Sequence, residues 1–372
     1  MSAPLPKALA RIRRGADEPR VATHSAPVLP VPCLHAPPSA GEMAALWRQN
    51  RQTLVDDFQR GATQCAGLPP HMKLELTNFC NLSCPMCPHA QMQRSVGSMK
   101  LDLFRKIIDE AAPFLEFAYL HHLGESLVQR RIGDFIRYGR SRGVAMGLST
   151  NATYLDDRRG RTLLESGLDF LVISMDGASP DTYERIRVGA DFATTLRNVQ
   201  HFCDLRARMP HSTTVVVQMI VMDHNRHEID LFARQWDGQV HVMIKEARDW
   251  AGQVQLGRRR PEPPPVRQAP CRMPWTELTV LWDGTVVPCA NVYEKQNVLG
   301  DLRTQTLHEV WNGQPLQRLR AAHLRNQVAD IAVCATCPRM AFDTADFVAV
   351  DQLTQRHRNY VRTDLTPRPG LS

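Results

Sequence analysis

The sequence predicts an α/β fold, a partial (β/α)6 barrel followed by a small α+β domain. Two observations carry that prediction. From Met72 onward, an apolar strand-like run, a loop and an amphipathic helical stretch recur six times. Strand–helix units in series imply a parallel sheet with right-handed crossovers, here curled as an open barrel. After Glu246 the pattern changes: a proline-dense stretch precedes two β-rich runs around Asp283-Gly284, the strongest short hairpin signal in the chain.

In chain order, residues 1–68 hold many Pro, Ala and Arg and few periodic segments, apart from a helical pattern in GEMAALWRQNRQTLVDDFQR. They read as an extension of the barrel that follows at 69–246. The expected strands are MKLELT, FAYLHHL, VAMGLST, DFLVISM, TVVVQMIVM and VHVMIKE. Helices are expected at LDLFRKIIDEAAPFL, IGDFIRYGRSRG and FATTLRNVQHFCDLRAR, the second stopped by Gly143. Residues 247–270, with RRRPEPPPVRQAP, read as a linker, 271–345 as the small domain and 346–372 as a tail. In a parallel sheet, functional residues gather at the C-terminal strand ends, where the segment after MKLELT lies.

Composition narrows the function. The chain has 372 residues, 43% hydrophobic and 22% charged, enough to bury a large core. It shows no apolar run of about 18 residues and no apolar signal segment at its start, which predicts a cytoplasmic protein with no membrane partner. The net charge of +7 comes from scattered arginines, so a solvated basic surface is expected and no nucleic-acid partner. Ten cysteines in a chain of this length point to metal or catalytic thiols, not to a disulfide framework.

Their grouping is informative. Cys80, Cys84 and Cys87 fall within eight positions of ELTNFCNLSCPMCPH. Three close thiolates suit a soft metal centre, and on a [4Fe-4S] cluster they leave one iron free to bind a small molecule. The competing readings are a partial zinc site, with only His89 nearby as a fourth donor, and buried unligated cysteines. Cys271, Cys289, Cys334 and Cys337 form a second set, spaced C-x12-G-x4-C and then C-x2-C, which suits a closed [4Fe-4S] cluster or a structural zinc.

The first motif resembles the C-x3-C-x2-C signature of the radical S-adenosylmethionine (SAM) enzymes, a family with a partial TIM-like barrel, and the resemblance extends over residues 70–345. It implies that Cys80, Cys84 and Cys87 hold the cluster that binds SAM. HLGES resembles the family's Gly-Gly-Glu-Pro motif, with Gly124 and Glu125 matching and Leu123 and Ser126 departing from it. STNA gives Ser149 and Asn151 as polar residues facing the cofactor. ISMDGASPDTYERIRVG gives Ser174 and Asp176 as contacts and Arg187 as partner of the SAM carboxylate. Met86 stands where an aromatic residue usually lies beside the adenine. The second cysteine set resembles the shortened SPASM domain called twitch, which shifts that site toward an auxiliary [4Fe-4S] cluster.

The resemblance implies a 5'-deoxyadenosyl radical that takes a hydrogen atom from substrate, with an external electron donor such as flavodoxin or ferredoxin. A closed second cluster suits electron transfer or support. The arrangement resembles twitch dehydrogenases of amino-sugar or aminocyclitol alcohols, so oxidation of a carbinol in a small molecule (a sugar, aminocyclitol or nucleoside) is expected. An epimerase, a maturase of peptides or proteins, and a non-catalytic metal-binding module are the alternatives. The base for a dehydrogenation is sought among His121, His122, Arg187 and Lys245, since one of two adjacent histidines at a strand end should point inward. Cys33, Cys65 and Cys203 remain outside both sets, and none is assigned as a hydrogen donor.

Overall fold

A single continuous sheet of nine strands runs in the order β6-β5-β4-β3-β2-β1-β7-β8-β9. The computed structural model describes residues 40–210, 213–247, 249–256 and 270–337. The strands are β1 His71–Leu74, β2 Phe117–Tyr119, β3 Ala145–Thr150, β4 Phe170–Ser174, β5 Thr214–Val221, β6 His241–Glu246, β7 Glu277–Val280, β8 Thr285–Val287 and β9 Gly300–Asp301. The six expected barrel strands all form, and each pairs in parallel with its neighbour. Between them lie the helices α2 Leu101–Ala111, α3 Ile132–Ser141, α4 Asp157–Glu165, α5 Pro180–Ile186, α6 Phe192–Arg208 and α7 Ile229–Trp236.

Strand alternation sorts the residues into two faces. Met72, Leu74, Ala118, Leu148, Leu171, Val215 and Val217 join the main core with helix residues such as Phe104, Phe135 and Phe202. The opposite face carries a smaller apolar cluster of Phe170, Val172, Val216 and Met243, with Phe117 and Tyr119 against it. Polar residues share that inner face: Lys73 is paired with Glu277 across β1 and β7, and the Tyr119 hydroxyl meets the Ser149 hydroxyl.

The hairpin at Asp283-Gly284 forms as expected, with Gly284 at a φ of 92°. Its placement differs from that of a freestanding module: β7 pairs in parallel with β1, His71 opposite Glu277, and so adds a seventh parallel strand to the sheet. Helices α8 Met273–Thr276, α9 Leu307–Trp311, α10 Gln314–Leu324 and α11 Ala332–Ala335 complete this part.

The expected N-terminal helix forms as α1, Ala40–Gln59, and the chain after it is built into the fold. Asn50 exchanges hydrogen bonds with the backbone of Leu68, and Trp311 and Trp275 donate their indole N–H groups to the carbonyls of Gly67 and Ala62. Arg320, fully buried over the Trp311 ring, donates to the carbonyls of Thr63 and Pro274. Residues 60–68 thereby clamp the C-terminal part to the barrel. Most of the proline-rich linker, residues 257–269, and the tail at 346–372 lie outside the described residues, as does Cys33.

Candidate functional site

Beyond Leu74 the chain leaves β1 and enters the loop that carries Cys80, Cys84 and Cys87. Cys84 is buried with Leu82, Met86 and Ile186, and Cys80 and Cys87 pack against the same group. Burial pushes the Cys80 thiol up to about 12 and the Cys87 thiol to about 11, with Cys84 adding to the rise of both. Such thiols are poor nucleophiles by themselves, and iron would replace their protons on binding. The donor set therefore fits a soft-metal centre. His89, the one imidazole near the loop in sequence, places Nε2 2.8 Å from the Asn78 carbonyl and so donates there. Among the described residues no group of three His, Cys, Asp or Glu side chains closes on a single ion; a four-iron cube distributes its thiolates over separate irons.

Gly124 explains how HLGES is held. It has a φ of 82°, and a Cβ there would stand 2.6 Å from the Thr77 carbonyl oxygen and 2.8 Å from that of Phe79. The next amide, of Glu125, donates to the Phe79 carbonyl at 2.8 Å, which stitches this loop to the root of the cysteine loop. Gly124→Ala is expected to lower stability by about 1–2 kcal/mol for the left-handed backbone and about 1–3 kcal/mol for the contact. Urea unfolding checks this, and a variant within about 0.5 kcal/mol of the parent would reject it.

The Glu125 carboxylate is 2% exposed and accepts from the Leu127 amide at 2.9 Å, the Thr150 hydroxyl at 2.7 Å and the Asn151 amide at 2.7 Å. It joins the ends of β2 and β3. Asn151 in turn donates from Nδ2 to Asn81 in the cysteine loop at 3.0 Å, and Ser149 is engaged with Tyr119 on the inner face. Ser174 ends β4 on that same face, following Phe170 and Val172. Asp176, fully buried, accepts from the Ile220 amide at 2.6 Å and pairs with Arg187 Nη2 at 2.6 Å. Arg187 also points Nη1 at Cys84 Sγ, 3.8 Å away, and its Nε is buried with no hydrogen-bond partner. Asp176 thus orients Arg187, whose Nη1 reaches toward the Cys84 thiol.

The two histidines part company. His121 lies edge-on to the Tyr119 ring at 6.1 Å, and burial, aided by His122, Lys245, Arg187 and Lys73, lowers it to about 3. His121 is therefore a neutral imidazole among the polar groups of the inner face. His122 donates from Nε2 to the Val292 carbonyl at 3.0 Å and lies 6.4 Å from the Trp250 ring, joining the barrel to the C-terminal part. The chain leaves strand geometry after Tyr119, so alternation no longer governs which histidine faces inward.

Cys271, Cys289, Cys334 and Cys337 line one cleft, together with Met273 and His323. Burial pushes the Cys289 thiol up to about 12, with Cys271 and Cys337 adding to the rise. Four thiols in one enclosed space fit a closed cluster. The leftover cysteines lie apart: Cys65 is buried and its backbone amide is bonded to Asn312 Oδ1, while Cys203 sits half-buried on α6.

Residues absent from the sequence reading hold the site together. Glu75 and Arg94 form a fully buried pair in which Nη1 reaches Oε2 at 2.7 Å and Nη2 meets Oε1. Arg94 Nε donates to the Tyr293 carbonyl at 2.7 Å, and Glu75 also accepts from the amides of Trp282 and Leu123. Trp250 donates to the Met86 carbonyl at 3.2 Å, and Gln253 Nε2 to the Asn291 carbonyl at 2.9 Å, so segment 249–256 spans from one cysteine site to the other. An acid inside the apolar run of MKLELT was the one sequence signal for Glu75.

The radical SAM superfamily model matches residues 74–235, and the SPASM iron-sulfur cluster-binding domain model matches residues 271–338. The chain carries a radical SAM domain followed by a C-terminal SPASM domain. The two domains imply a [4Fe-4S] cluster with SAM and auxiliary iron-sulfur binding; Cys80, Cys84 and Cys87 fall within the first match and Cys271, Cys289, Cys334 and Cys337 within the second. Among curated relatives, a tungsten-containing aldehyde ferredoxin oxidoreductase cofactor-modifying protein of Pyrococcus furiosus is 33% identical over 168 residues, 44% of this chain and 47% of that protein. The mycofactocin maturase MftC of Mycobacterium ulcerans is 25% identical over 48% of this chain and 46% of its own. The chain's matches span about half the length of these relatives. Of solved structures, Streptococcus suis SuiB bound to precursor peptide SuiA superposes with a TM-score of 0.58 at 11% identity, covering 73% of this chain and 70% of SuiB. BtrN in complex with AdoMet and 2-DOIA gives 0.52 at 16% identity, covering 73% of this chain and 94% of BtrN. These likenesses concern the fold. No helix among the described residues is long and apolar enough to cross a membrane.

Proposed function

We propose that this radical SAM enzyme oxidises a carbinol carbon of a small molecule of sugar, aminocyclitol or nucleoside type, with one auxiliary [4Fe-4S] centre as electron acceptor. The observation that carries this reading is the cleft in which Cys271, Cys289, Cys334 and Cys337 meet, because four thiolates leave no open iron and so suit electron transfer over substrate binding. Bound in the two sites, the cofactors would supply a 5'-deoxyadenosyl radical and an electron acceptor. An external donor of flavodoxin or ferredoxin type would reduce the first centre.

The chain's own residues would do the rest. Cys80, Cys84 and Cys87 would hold the SAM-binding cluster, and the unpartnered Arg187 Nε is a donor for the SAM carboxylate, oriented by Asp176. Glu125, Asn151 and Gly124 would fix the loops around the methionine end; Ser149 and Ser174 would offer hydroxyls from the inner face, and Met86 a thioether for the adenine. Of the two histidines, His121 would take the hydroxyl proton as the substrate radical gives up its electron and becomes a ketone, because His122 is already engaged with the Val292 carbonyl.

A second reading, modification of a peptide, is favoured by the names of relatives: MftC is a maturase, and the PqqA peptide cyclase of Bradyrhizobium diazoefficiens is 26% identical over 34% of this chain. Anaerobic reconstitution should give about eight irons per chain, with SAM cleavage. C334A/C337A is expected to keep SAM cleavage and lose the oxidised product. Full oxidation by that variant would reject the acceptor role. Deuterium passing into 5'-deoxyadenosine only from peptides, and from none of a panel of deuterated sugars, cyclitols and nucleosides, would select the second reading.

A further inference from the structure

The two cysteine sites differ in what surrounds their sulfurs. In the first, Cys80 and Cys87 receive backbone amides, from Leu82 and His89, and the one side chain near a sulfur is the charged Arg187, with Nη1 3.8 Å from Cys84 Sγ among the described residues. In the second, side chains reach the sulfurs: His323 Nε2 lies 3.5 Å from Cys334 Sγ, and Asn291 Nδ2 lies 3.4 Å from Cys337 Sγ. His323 stands on α10 and is only 5% exposed. Asn291 also turns its backbone amide toward Cys289, so this residue serves two of the four cysteines.

We propose that His323 and Asn291 tune the auxiliary centre, raising its reduction potential by hydrogen bonds to Cys334 and Cys337. This rests on the four cysteines holding a [4Fe-4S] cluster. A ligating cysteine is a thiolate without a proton, so the contact with His323 is a hydrogen bond only when Nε2 carries the hydrogen; ligation selects that tautomer. Each donated hydrogen bond withdraws charge from a sulfur and favours the more negative, reduced cluster. An electron acceptor needs that direction of tuning, and the residues supplying it are removable one at a time. Neither residue is assigned a contact with substrate or SAM; both act through the cysteines.

The test uses the full chain with C80A/C84A/C87A, so that only the auxiliary centre is present. After anaerobic reconstitution, iron and sulfide are counted, and the centre is titrated with mediators and followed by electron paramagnetic resonance. About four irons in this parent establish the reading beneath the proposal before any variant is compared; their absence would sink that reading and the proposal with it. Asn291→Leu and His323→Phe are each expected to lower the reduced-to-oxidised ratio at the parent's midpoint about tenfold, about 59 mV for one electron. His323→Gln, which keeps an N–H donor, should restore most of the shift. Unchanged midpoints at full iron content would overturn the proposal, as would equal shifts in the Gln and Phe variants. Loss of iron in both Asn291→Leu and His323→Phe would also overturn it, showing that these residues hold the cluster in place.

Discussion

Glu75→Ala should destabilise the fold by about 3–5 kcal/mol, because it strands the buried Arg94 guanidinium without its counter-charge. Glu75 is fully buried and Arg94 is 9% exposed, so solvent cannot compensate the lost partner. The damage spreads further than a pair. Glu75 sits where β1 gives way to the cysteine loop, and it accepts from the Trp282 amide at 3.2 Å and the Leu123 amide at 3.4 Å. Removing it leaves donors unsatisfied at the root of the cysteine loop, in the Gly124 loop and in the hairpin of the SPASM domain together. Urea unfolding at fixed iron content measures the effect. The variant E75L/R94M, which exchanges the pair for apolar side chains, should recover part of the loss, since a buried ion pair often stabilises little over a well-packed apolar substitute. An E75A midpoint shift equivalent to less than about 1 kcal/mol would contradict the importance given to this pair.

Much of the barrel was legible because its signals are local. Each strand run shows an apolar pattern, and Cys80, Cys84 and Cys87, like Cys334 and Cys337, stand close enough in sequence for their spacing to speak. Gly124 shows the same thing at one residue: a glycine in HLGES proved to be required by a φ of 82° and by the nearness of the Thr77 carbonyl. The pairing of β7 with β1 was not legible. Strands separated by 200 residues leave no mark on either segment, and β7 reads as half of a hairpin whether or not its other edge is paired. Arg94 was hidden for a related reason, since one more arginine among many scattered ones announces nothing until Glu75 is found beside it. The expectation for His122 used strand alternation beyond the last strand residue, Tyr119, and the chain had already turned. Asp176 shows a subtler gap: its place at a strand end was readable, but its pairing with Arg187 depends on helix α5 returning the chain to the cysteine loop.

Cys84→Ala should abolish SAM cleavage while leaving the auxiliary centre loaded. Cys84 is the most enclosed of the three loop cysteines, packed with Leu82, Met86 and Ile186, and it is the one that Arg187 approaches, Nη1 lying 3.8 Å from Sγ. The substitution therefore removes one of three thiolates from a cluster that has no spare ligand, and it takes the neighbouring sulfur away from the arginine proposed to meet the SAM carboxylate. Two thiolates do not hold a four-iron cube with a defined open iron. Reconstituted Cys84→Ala should bind about four irons in place of about eight, and 5'-deoxyadenosine formation with a chemical reductant should fall to the level of protein-free controls. Cys203→Ala, altering a half-buried thiol on α6 far from either set in sequence, should keep both iron content and cleavage. Retained cleavage in Cys84→Ala would remove this cysteine from the first centre. Loss of all the iron would show that the two sites, joined by Glu75, Arg94 and segment 249–256, load only together.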